Sequence, residues 1–565
     1  EVLVPGALIL FIFGGVITAG EAFHGFSNQG MLSVGFLYVV AYALQATGVL
    51  DTVTRALFGR DKGGLRVKLN RFLFPVAGLS AFLNNTPVVS MLVPAVKSWC
   101  RQRNVPSSKF LIPLSYAAIL GGTCTLIGTS SNLVVHGFLL ERGLGGFSFF
   151  ELAVVGVPIT IVGILALSFV LHRLLPNRKE AITELDENTR DFVIQMKVSE
   201  KYVEVGKSIE AAGLRHLQGL FLFQIERNGD VIAPVQPNEK VRVNDRLFFT
   251  GLPSTIVELQ KHRGLDVIKD AHFDLKNYDS SELKTYEVVV SPSSPLVGKT
   301  VRKSNFRRIY DAVILAIHRS GERIDSKVGD IKFRAGDTLL ILSHREFYDH
   351  WYHSRDFSLV STSDEVPSKR RSQAVIALGI TLAMVVSVAL DLLPLVVAAG
   401  SAAILLILTR CISSLDAFSG VDWKILLVIA SAFGIAKALE NAGVAQYFAT
   451  RIVSLSAPIG ILALIASIYF ATLIMREIVS NNAAAAIMFP VAVSIASQST
   501  HDLMPFAYAV VIGASAGFAT PIGYATNLMV FGPGGYRFKD YLKVGIPMDL
   551  IVGAVAVSII YFHFF

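Results

Sequence analysis

Two short polar stretches interrupt apolar segments of this chain: Asn84-Asn85-Thr86 in the first half and Ser480-Asn481-Asn482 in the second. Amide and hydroxyl groups in such a setting cost free energy unless they find partners, and inside a membrane they usually face a site or a cavity. Where helix ends meet, exposed backbone N–H groups favour anions, and exposed carbonyl groups favour hard cations such as sodium. A helix break stabilised by its own hydrogen bonds is the alternative for either stretch alone. The pair predicts two halves of one site for an anion and cations.

The two stretches belong to a longer internal repeat. Asn85 and Pro94 recur 396 positions later as Asn481 and Pro490. Three other segments recur at a spacing of 395: Glu21 to Gly25 at Asp416 to Gly420, Ala43 to Val49 at Ala438 to Val444, and Thr125 to Asn132 at Thr520 to Asn527. Chance does not hold one spacing over more than a hundred residues, so the membrane portion is an internal duplication.

Composition places the chain among membrane proteins. Of its 565 residues, 52% are hydrophobic and 17% are charged, and the charged residues concentrate between 176 and 371. The net charge of +8 lies largely in short loops between apolar segments, where basic residues mark the cytoplasmic side, which argues against nucleic-acid binding. Three cysteines without close spacing suggest neither a disulfide framework nor a zinc site. No catalytic motif is visible, so we expect no enzyme activity and no cofactor.

The order of apolar segments predicts the topology. The basic stretches 55–71 and 97–109 flank 72–96, which predicts a re-entrant hairpin with Asn84-Asn85-Thr86 at its tip, and a second hairpin is expected near 459–498. Five crossings separate segment 4–20 from its counterpart 394–410, and an odd number inverts the repeat, an arrangement typical of secondary transporters. The predicted spans lie near 4–20, 29–49, 108–140 (interrupted), 150–172, 373–391, 394–410, 423–440, 505–531 (interrupted) and 542–563. Since 373–391 has no counterpart, we expect that a helix before residue 1 is missing from this sequence.

A polar insert separates the two membrane halves and is itself duplicated. Val205 to Ile209 recurs at Val297 to Val301, and Asn244-Asp245 recurs at Gly336-Asp337, both 92 positions later. The Gly-Lys-Ser and Gly-Lys-Thr triplets do not form a phosphate-binding loop, because Lys201 and Ser293 stand where that loop requires glycine. The repeated motif resembles the RCK C-terminal (TrkA-C) domain, which implies either dimerisation or binding of a small regulatory ligand.

These boundaries predict a fold class. We expect a polytopic α-helical membrane protein with an inverted repeat, two re-entrant hairpins and broken helices, and a cytoplasmic α/β insert of two tandem modules. The expected domains are 1–175, 185–275, 276–365 and 373–565.

The two polar stretches also resemble the paired signatures of the divalent anion/sodium symporter family, and the resemblance spans both membrane halves. It implies a sodium-coupled carrier of sulfate or of di- and tricarboxylates. By this resemblance, substrate contacts are expected from Asn85, Thr86, Asn481, Asn482 and Thr520, and sodium ligands from Ser80, Asn84, Gly128, Asn132, Ser480, Gly523 and Asn527.

Departures from the family pattern favour sulfate. Asn84 stands where the family has serine, and Asn482 replaces the second threonine, which is associated with carboxylate recognition. Arg476 and Glu477, on the arm before the second tip, are expected to pair with each other or with a neighbouring helix, with added attraction for the anion as the alternative for Arg476. The sequence therefore predicts a plasma-membrane sulfate importer that uses sodium as coupling ion and forms a homodimer in the lipid bilayer. A dicarboxylate or citrate symporter and a transporter-like anion sensor remain alternatives. A gated channel is disfavoured, because the potassium filter sequence is absent.

Overall fold

The first membrane half consists of helices that follow the predicted spans. A computed structural model describes residues 3–48, 65–103, 105–178, 193–214, 220–228, 230–232, 235–236, 238–251, 264–268, 283–291, 294–319, 322–324, 326, 328–344, 346–351, 354, 356–362 and 371–565. The helices here are α1 (Leu3–Phe13), α2 (Ala19–Phe23), α3 (Gln29–Ala46), α4 (Leu65–Phe82), α5 (Asn85–Gln102), α6 (Leu111–Gly122), α7 (Ser130–Glu141) and α8 (Ala153–Phe169). Helices α4 and α5 are the arms of the first predicted hairpin.

The second membrane half repeats this order. Its helices are α11 (Arg371–Ala389), α12 (Leu395–Leu408), α13 (Ser414–Gly420), α14 (Trp423–Asn441), α15 (Val444–Ser456), α16 (Ile461–Ile478), α17 (Asn481–Ser499), α18 (Met504–Ser515), α19 (Ala525–Phe531) and α20 (Phe538–Phe564). Helices α16 and α17 are the arms of the second hairpin. The sequence did not predict α15, whose apolar stretch is short and ends in polar residues. Capping boxes begin α2 at Thr18 and α13 at Ser413, again 395 positions apart.

Four of the described helices are long and apolar enough to cross a membrane, and a fifth span results if the pair α13 and α14, bent by 54°, counts as one. Several others are shorter, and α1 is the clearest difference from the sequence prediction of a span over 4–20. It has 11 residues, about 16 Å of helix, and ends before Gly14 and Gly15. Gly15 has φ +68, a left-handed conformation that stops the helix. The mostly helical fold with broken helices and a sheet-containing insert is confirmed.

The insert contains two five-stranded antiparallel sheets of identical design. The first has the order β3-β2-β4-β1-β5, and the second has β8-β7-β9-β6-β10, so each strand corresponds to the one found 92 positions later. The strands are β1 (Val193–Val198), β2 (Leu220–Arg227), β3 (Asp230–Ile232), β4 (Arg246–Gly251), β5 (Leu265–Val267), β6 (Leu283–Val290), β7 (Ala312–Arg319), β8 (Glu322–Arg323), β9 (Thr338–His344) and β10 (Phe357–Thr362), with short helices α9 (Phe306–Tyr310) and α10 (Glu346–Trp351). In both sheets an arginine at the end of one strand forms a salt bridge with a buried aspartate: Arg227 with Asp245, and Arg319 with Asp337.

The second module packs on the membrane half of the protein. Lys97 of α5 donates to Glu287 of β6 at 2.5 Å, and these side chains are only 3% and 1% exposed. Gly336 of the same module lies beside Leu528 of α19. The sequence placed Lys97 and Arg101 in a loop on the cytoplasmic side. The loop prediction is wrong, because α5 continues through Gln102 and both residues lie in its last turns. The basic residues expected at 55–62 lie outside the described residues.

Candidate functional site

The first hairpin tip is held by a buried amide. Helix α4 ends at Phe82 and α5 begins at Asn85, with Asn84 as the capping residue. The side chain of Asn85 is fully buried; its Oδ1 accepts from Ser80 Oγ at 2.6 Å, and its Nδ2 donates to the hydroxyl of Tyr524 at 2.6 Å. Because Tyr524 belongs to the other half, the first tip is fastened to the second repeat.

Each half contains a helix break, at residues 123–129 between α6 and α7 and at residues 516–524 between α18 and α19. An asparagine after each break stabilises it. Asn132 Nδ2 donates to the carbonyl oxygens of Gly122, at 3.1 Å, and Thr125, at 2.8 Å. In the second half, Asn527 Nδ2 donates to those of Gly517 and Thr520, at 3.2 and 3.1 Å. Each acceptor lies 395 positions after its counterpart, so the two breaks have one geometry. The asparagine amides stabilise unwound backbone that would otherwise leave buried carbonyl groups unpaired.

The two broken helices cross each other at the centre of the membrane portion. Ser515 Oγ lies 2.9 Å from Ser131 Oγ and donates to Asn132 Oδ1 at 3.3 Å. The reciprocal set is Ser115 Oγ donating to Thr526 Oγ1 at 2.9 Å and to Asn527 Oδ1 at 2.7 Å. The hydroxyls of Thr129 and Tyr524, themselves repeat counterparts, are 2.9 Å apart. A pseudo-twofold axis therefore passes between these two residues.

The second tip is more open than the first. Ser480 is exposed and caps α17 by accepting from the backbone N–H of Ala483 at 3.4 Å. Asn482 is buried, and its Oδ1 accepts from Ser130 Oγ at 2.8 Å. Asn481 and Thr86 are half-buried, and neither side chain forms a hydrogen bond within the described part of the chain. Both groups are therefore available to a ligand at the tips.

A cavity of about 30 Å³ lies beside the first tip, lined in part by Tyr38, Asn84 and Ser130. This space can hold a water molecule or a sodium ion. Each tip is bonded to the broken helix of the other half, through Asn85–Tyr524 and Ser130–Asn482, so making room for an anion between the tips requires that these bonds break.

Charged groups occur beside the second break and not at the corresponding residues of the first. Arg476 is fully buried and donates from Nη1 to Glu477 Oε1 at 2.9 Å, and its Cζ lies 4.9 Å from the centre of the Tyr524 ring. The expected pairing of Arg476 with Glu477 is thus present. Thr520, expected at the substrate, donates instead to Glu477 Oε2 at 2.5 Å and accepts from the N–H of Gly523 at 2.9 Å.

The structure gathers the predicted residues into two clusters. At the first break lie Ser80, Asn84, Asn85, Gly128 and Asn132, and at the second lie Thr520, Gly523 and Asn527. Thr86, Ser480 and Asn481 lie at the hairpin tips, and Asn482 of the second tip contacts Ser130 beside the first break. Sequence reasoning missed the residues that join the clusters: Ser115, Ser130, Ser515 and Tyr524. A signal for Ser115 and Ser515 existed, since each is the single serine in a long apolar run. Asp549, buried on α20 and accepting from the Phe518 N–H at 3.2 Å, was also missed.

Comparison with known proteins identifies the family. The citrate transporter family (CitMHS) matches residues 2–513. This chain belongs to that family. Its relatives include a putative sulfur deprivation response regulator of Chlamydomonas reinhardtii, 34% identical over all of this chain and 98% of the relative. They also include sodium/sulfate cotransporter 1 of that alga, 27% identical over 96% of this chain and 85% of the relative.

These findings bear on the resemblances drawn from the sequence. Similarity to sodium/sulfate cotransporters over nearly the whole chain confirms the resemblance to the divalent anion/sodium symporters. A crystal structure of the GsuK RCK domain covers 28% of this citrate transporter family member and 62% of that chain, with 10% identity and a TM-score of 0.15, which is too low to identify the fold of the insert. The family and its relatives place the chain among membrane transporters.

Proposed function

We propose that this protein carries sulfate into the cell together with sodium by alternating access. The observation that carries the proposal is the meeting of both polar tips with two broken helices around a pseudo-twofold axis at Thr129 and Tyr524. Broken helices of this kind offer helix N-termini to an anion and unwound carbonyl groups to sodium. Breaking the two tip-to-helix bonds opens the space that the anion needs.

Sulfate is the favoured substrate for a chemical reason. The groups available at the tips are amides and a hydroxyl, which suit a compact tetrahedral dianion better than an extended dicarboxylate. Several relatives carry sodium/sulfate cotransporter names, which supports the same choice. A citrate or dicarboxylate symporter is the alternative, since the family is named for citrate.

A sulfate sensor is the second candidate function. A relative that matches over its whole length is named a putative sulfur deprivation response regulator. The second module is joined to the hairpin arm α5 by the buried Lys97–Glu287 salt bridge, so movement of the hairpin would displace the insert. In this proposal the insert lies in the cytoplasm of a plasma-membrane protein, and the two modules contribute to a homodimer.

The test is uptake of radiolabelled sulfate into proteoliposomes containing the purified protein. Uptake is expected with an inward sodium gradient and is expected to fall to the level of protein-free vesicles when potassium replaces sodium. Equal uptake driven by a proton gradient in sodium-free buffer would exclude sodium coupling. Sulfate binding without any uptake would favour the sensor.

A further inference from the structure

The two hairpin arms carry different chemistry at two adjacent equivalent positions. Ser80 and Ala81 precede the first tip, and Arg476 and Glu477 occupy the same places, 396 positions later, before the second. Ser80 hydrogen-bonds to the tip residue Asn85, whereas Arg476 bonds to its neighbour Glu477. The duplication therefore has a hydroxyl beside one helix break and a cation beside the other.

The guanidinium fills the second break. In the first half, the amide of Asn85 lies against Gly122, next to the carbonyl of Gly128. In the second half, the equivalent glycines are Gly517 and Gly523, and the Arg476 guanidinium lies against both: a Cβ on Gly517 would overlap it. In the first repeat this space contains the amide of the tip residue Asn85 and the carbonyl group of Gly128. In the second repeat the Arg476 guanidinium occupies the equivalent space.

Carboxylates beside this break offset the buried charge. Glu477 accepts from Arg476 directly, and Asp549 lies within electrostatic range of both. Gly156 and Gly545 pack against repeat-equivalent backbone, at Thr123 and Phe518, so Thr160 stands in the first half where Asp549 stands in the second. The first break has no fixed charge at these three positions.

The Arg476 guanidinium does not use all of its hydrogen-bond donors. The side chain is 0% exposed, and its Nε and Nη2 have no hydrogen-bond partner among the described residues. Glu477 and Asp549 offset much of its charge, but the guanidinium itself occupies the space beside Gly517 and Gly523. A sodium ion cannot bind at the same place without displacing it.

We propose that Arg476 is a fixed cation that replaces sodium at the second break, and that only the first break binds a coupling sodium ion. The first site draws on oxygens of Ser80, Asn85 and the 122–128 backbone, with no charged group in the way. This inference rests on the proposed function and changes the expectation of two equivalent sodium sites. Ser480, Gly523 and Asn527 then position the arginine and the tip.

The consequence is a sodium stoichiometry that can be measured on the unmodified protein. At zero membrane potential, one coupled sodium ion lets an approximately tenfold sodium gradient sustain about tenfold sulfate accumulation, and two sustain about a hundredfold, since each contributes about 1.4 kcal/mol. We expect about tenfold at steady state, with hyperbolic sodium activation. Accumulation near a hundredfold, or more than one labelled sodium ion per labelled sulfate, would overturn the inference while leaving the proposed function intact. Failure of the proposed function shows instead as absence of any sodium-dependent uptake.

A variant tests the cause. Arg476→Ser/Glu477→Ala copies the residues of the first arm, and we expect it to gain a second sodium ion, with about a hundredfold accumulation under the same gradient. Active variant protein that still accumulates only about tenfold would refute the role of Arg476. If the double variant does not fold, the stoichiometry of the unmodified protein still decides. Ser80→Ala is the matched control at the first break, where loss of sodium dependence is expected.

Discussion

Asn85 and Asn481 are the same residue type at equivalent places in the repeat, yet replacing them should have different effects. Asn85→Ala removes an amide that is fully buried and holds two hydrogen bonds. Tyr524 keeps its contact with Thr129 in this variant, whereas the buried hydroxyl of Ser80 loses its acceptor. One orphaned buried group costs about 1–3 kcal/mol, which corresponds to about a five- to hundredfold change in an equilibrium constant.

The half-buried side chain of Asn481 holds no hydrogen bond within the described part of the chain. Its replacement by alanine should therefore change the free energy of unfolding by less than about 0.5 kcal/mol, as is usual where a substitution breaks no buried hydrogen bond and leaves no cavity. The Asn481 amide is nevertheless available to the anion. We expect Asn481→Ala to weaken the apparent affinity for sulfate by a factor of about five to a hundred, at nearly unchanged stability.

The two variants are compared by thermal unfolding in detergent and by sulfate uptake over a range of concentrations. Asn85→Ala should lower the unfolding temperature and reduce uptake, and Asn481→Ala should alter uptake alone. The reasoning is refuted if both variants lower the unfolding temperature equally, or if Asn85→Ala unfolds like the unmodified protein. Unchanged sulfate and sodium dependence in both, at normal abundance, would mean that the tips are only structural helix breaks.

Three further predictions concern the substrate and the insert. Selenate should compete with sulfate for uptake more strongly than succinate does, because the tip groups fit a tetrahedral dianion; stronger inhibition by succinate or citrate would indicate a carboxylate carrier. Lys97→Ala should destabilise the protein by about 3–5 kcal/mol, since it leaves Glu287 buried without this partner, whereas the double change Lys97→Met/Glu287→Leu should be nearly neutral. Equal unfolding temperatures for these two variants would contradict that account. Replacing 185–365 by a flexible linker should preserve some uptake, because both breaks and both tips lie outside the insert; complete loss in a well-folded, membrane-inserted deletion protein would make the insert part of the transport machinery.

The duplication explains why much of the architecture follows from the sequence. Apart from 4–20, the apolar segments predicted helices near their observed bounds, since a long run of apolar side chains in a membrane must satisfy its backbone internally. The breaks at 123–129 and 516–524 were also predictable, because Gly-x-x-x-Asn occurs at the same place in both repeats. The two modules of the insert followed from its own duplication, whose spacing of 92 residues recurs between the strands of the two sheets. The helix at 444–456 and the early end of α1 did not, because neither has a strong pattern.

The sequence by itself determined the repeat, the two polar tips and their partner asparagines, since these depend on residue type and spacing along the chain. Only the tertiary structure decided that Thr129 meets Tyr524, that Ser115 and Ser515 join the broken helices, and that Lys97 is buried against Glu287. These contacts join residues between 190 and 412 positions apart, and no local periodicity encodes such pairings. The location of Arg476 is the sharpest case: its type and number are plain in the sequence, but only the packing of α16 against the 516–524 break brings its guanidinium to Gly517.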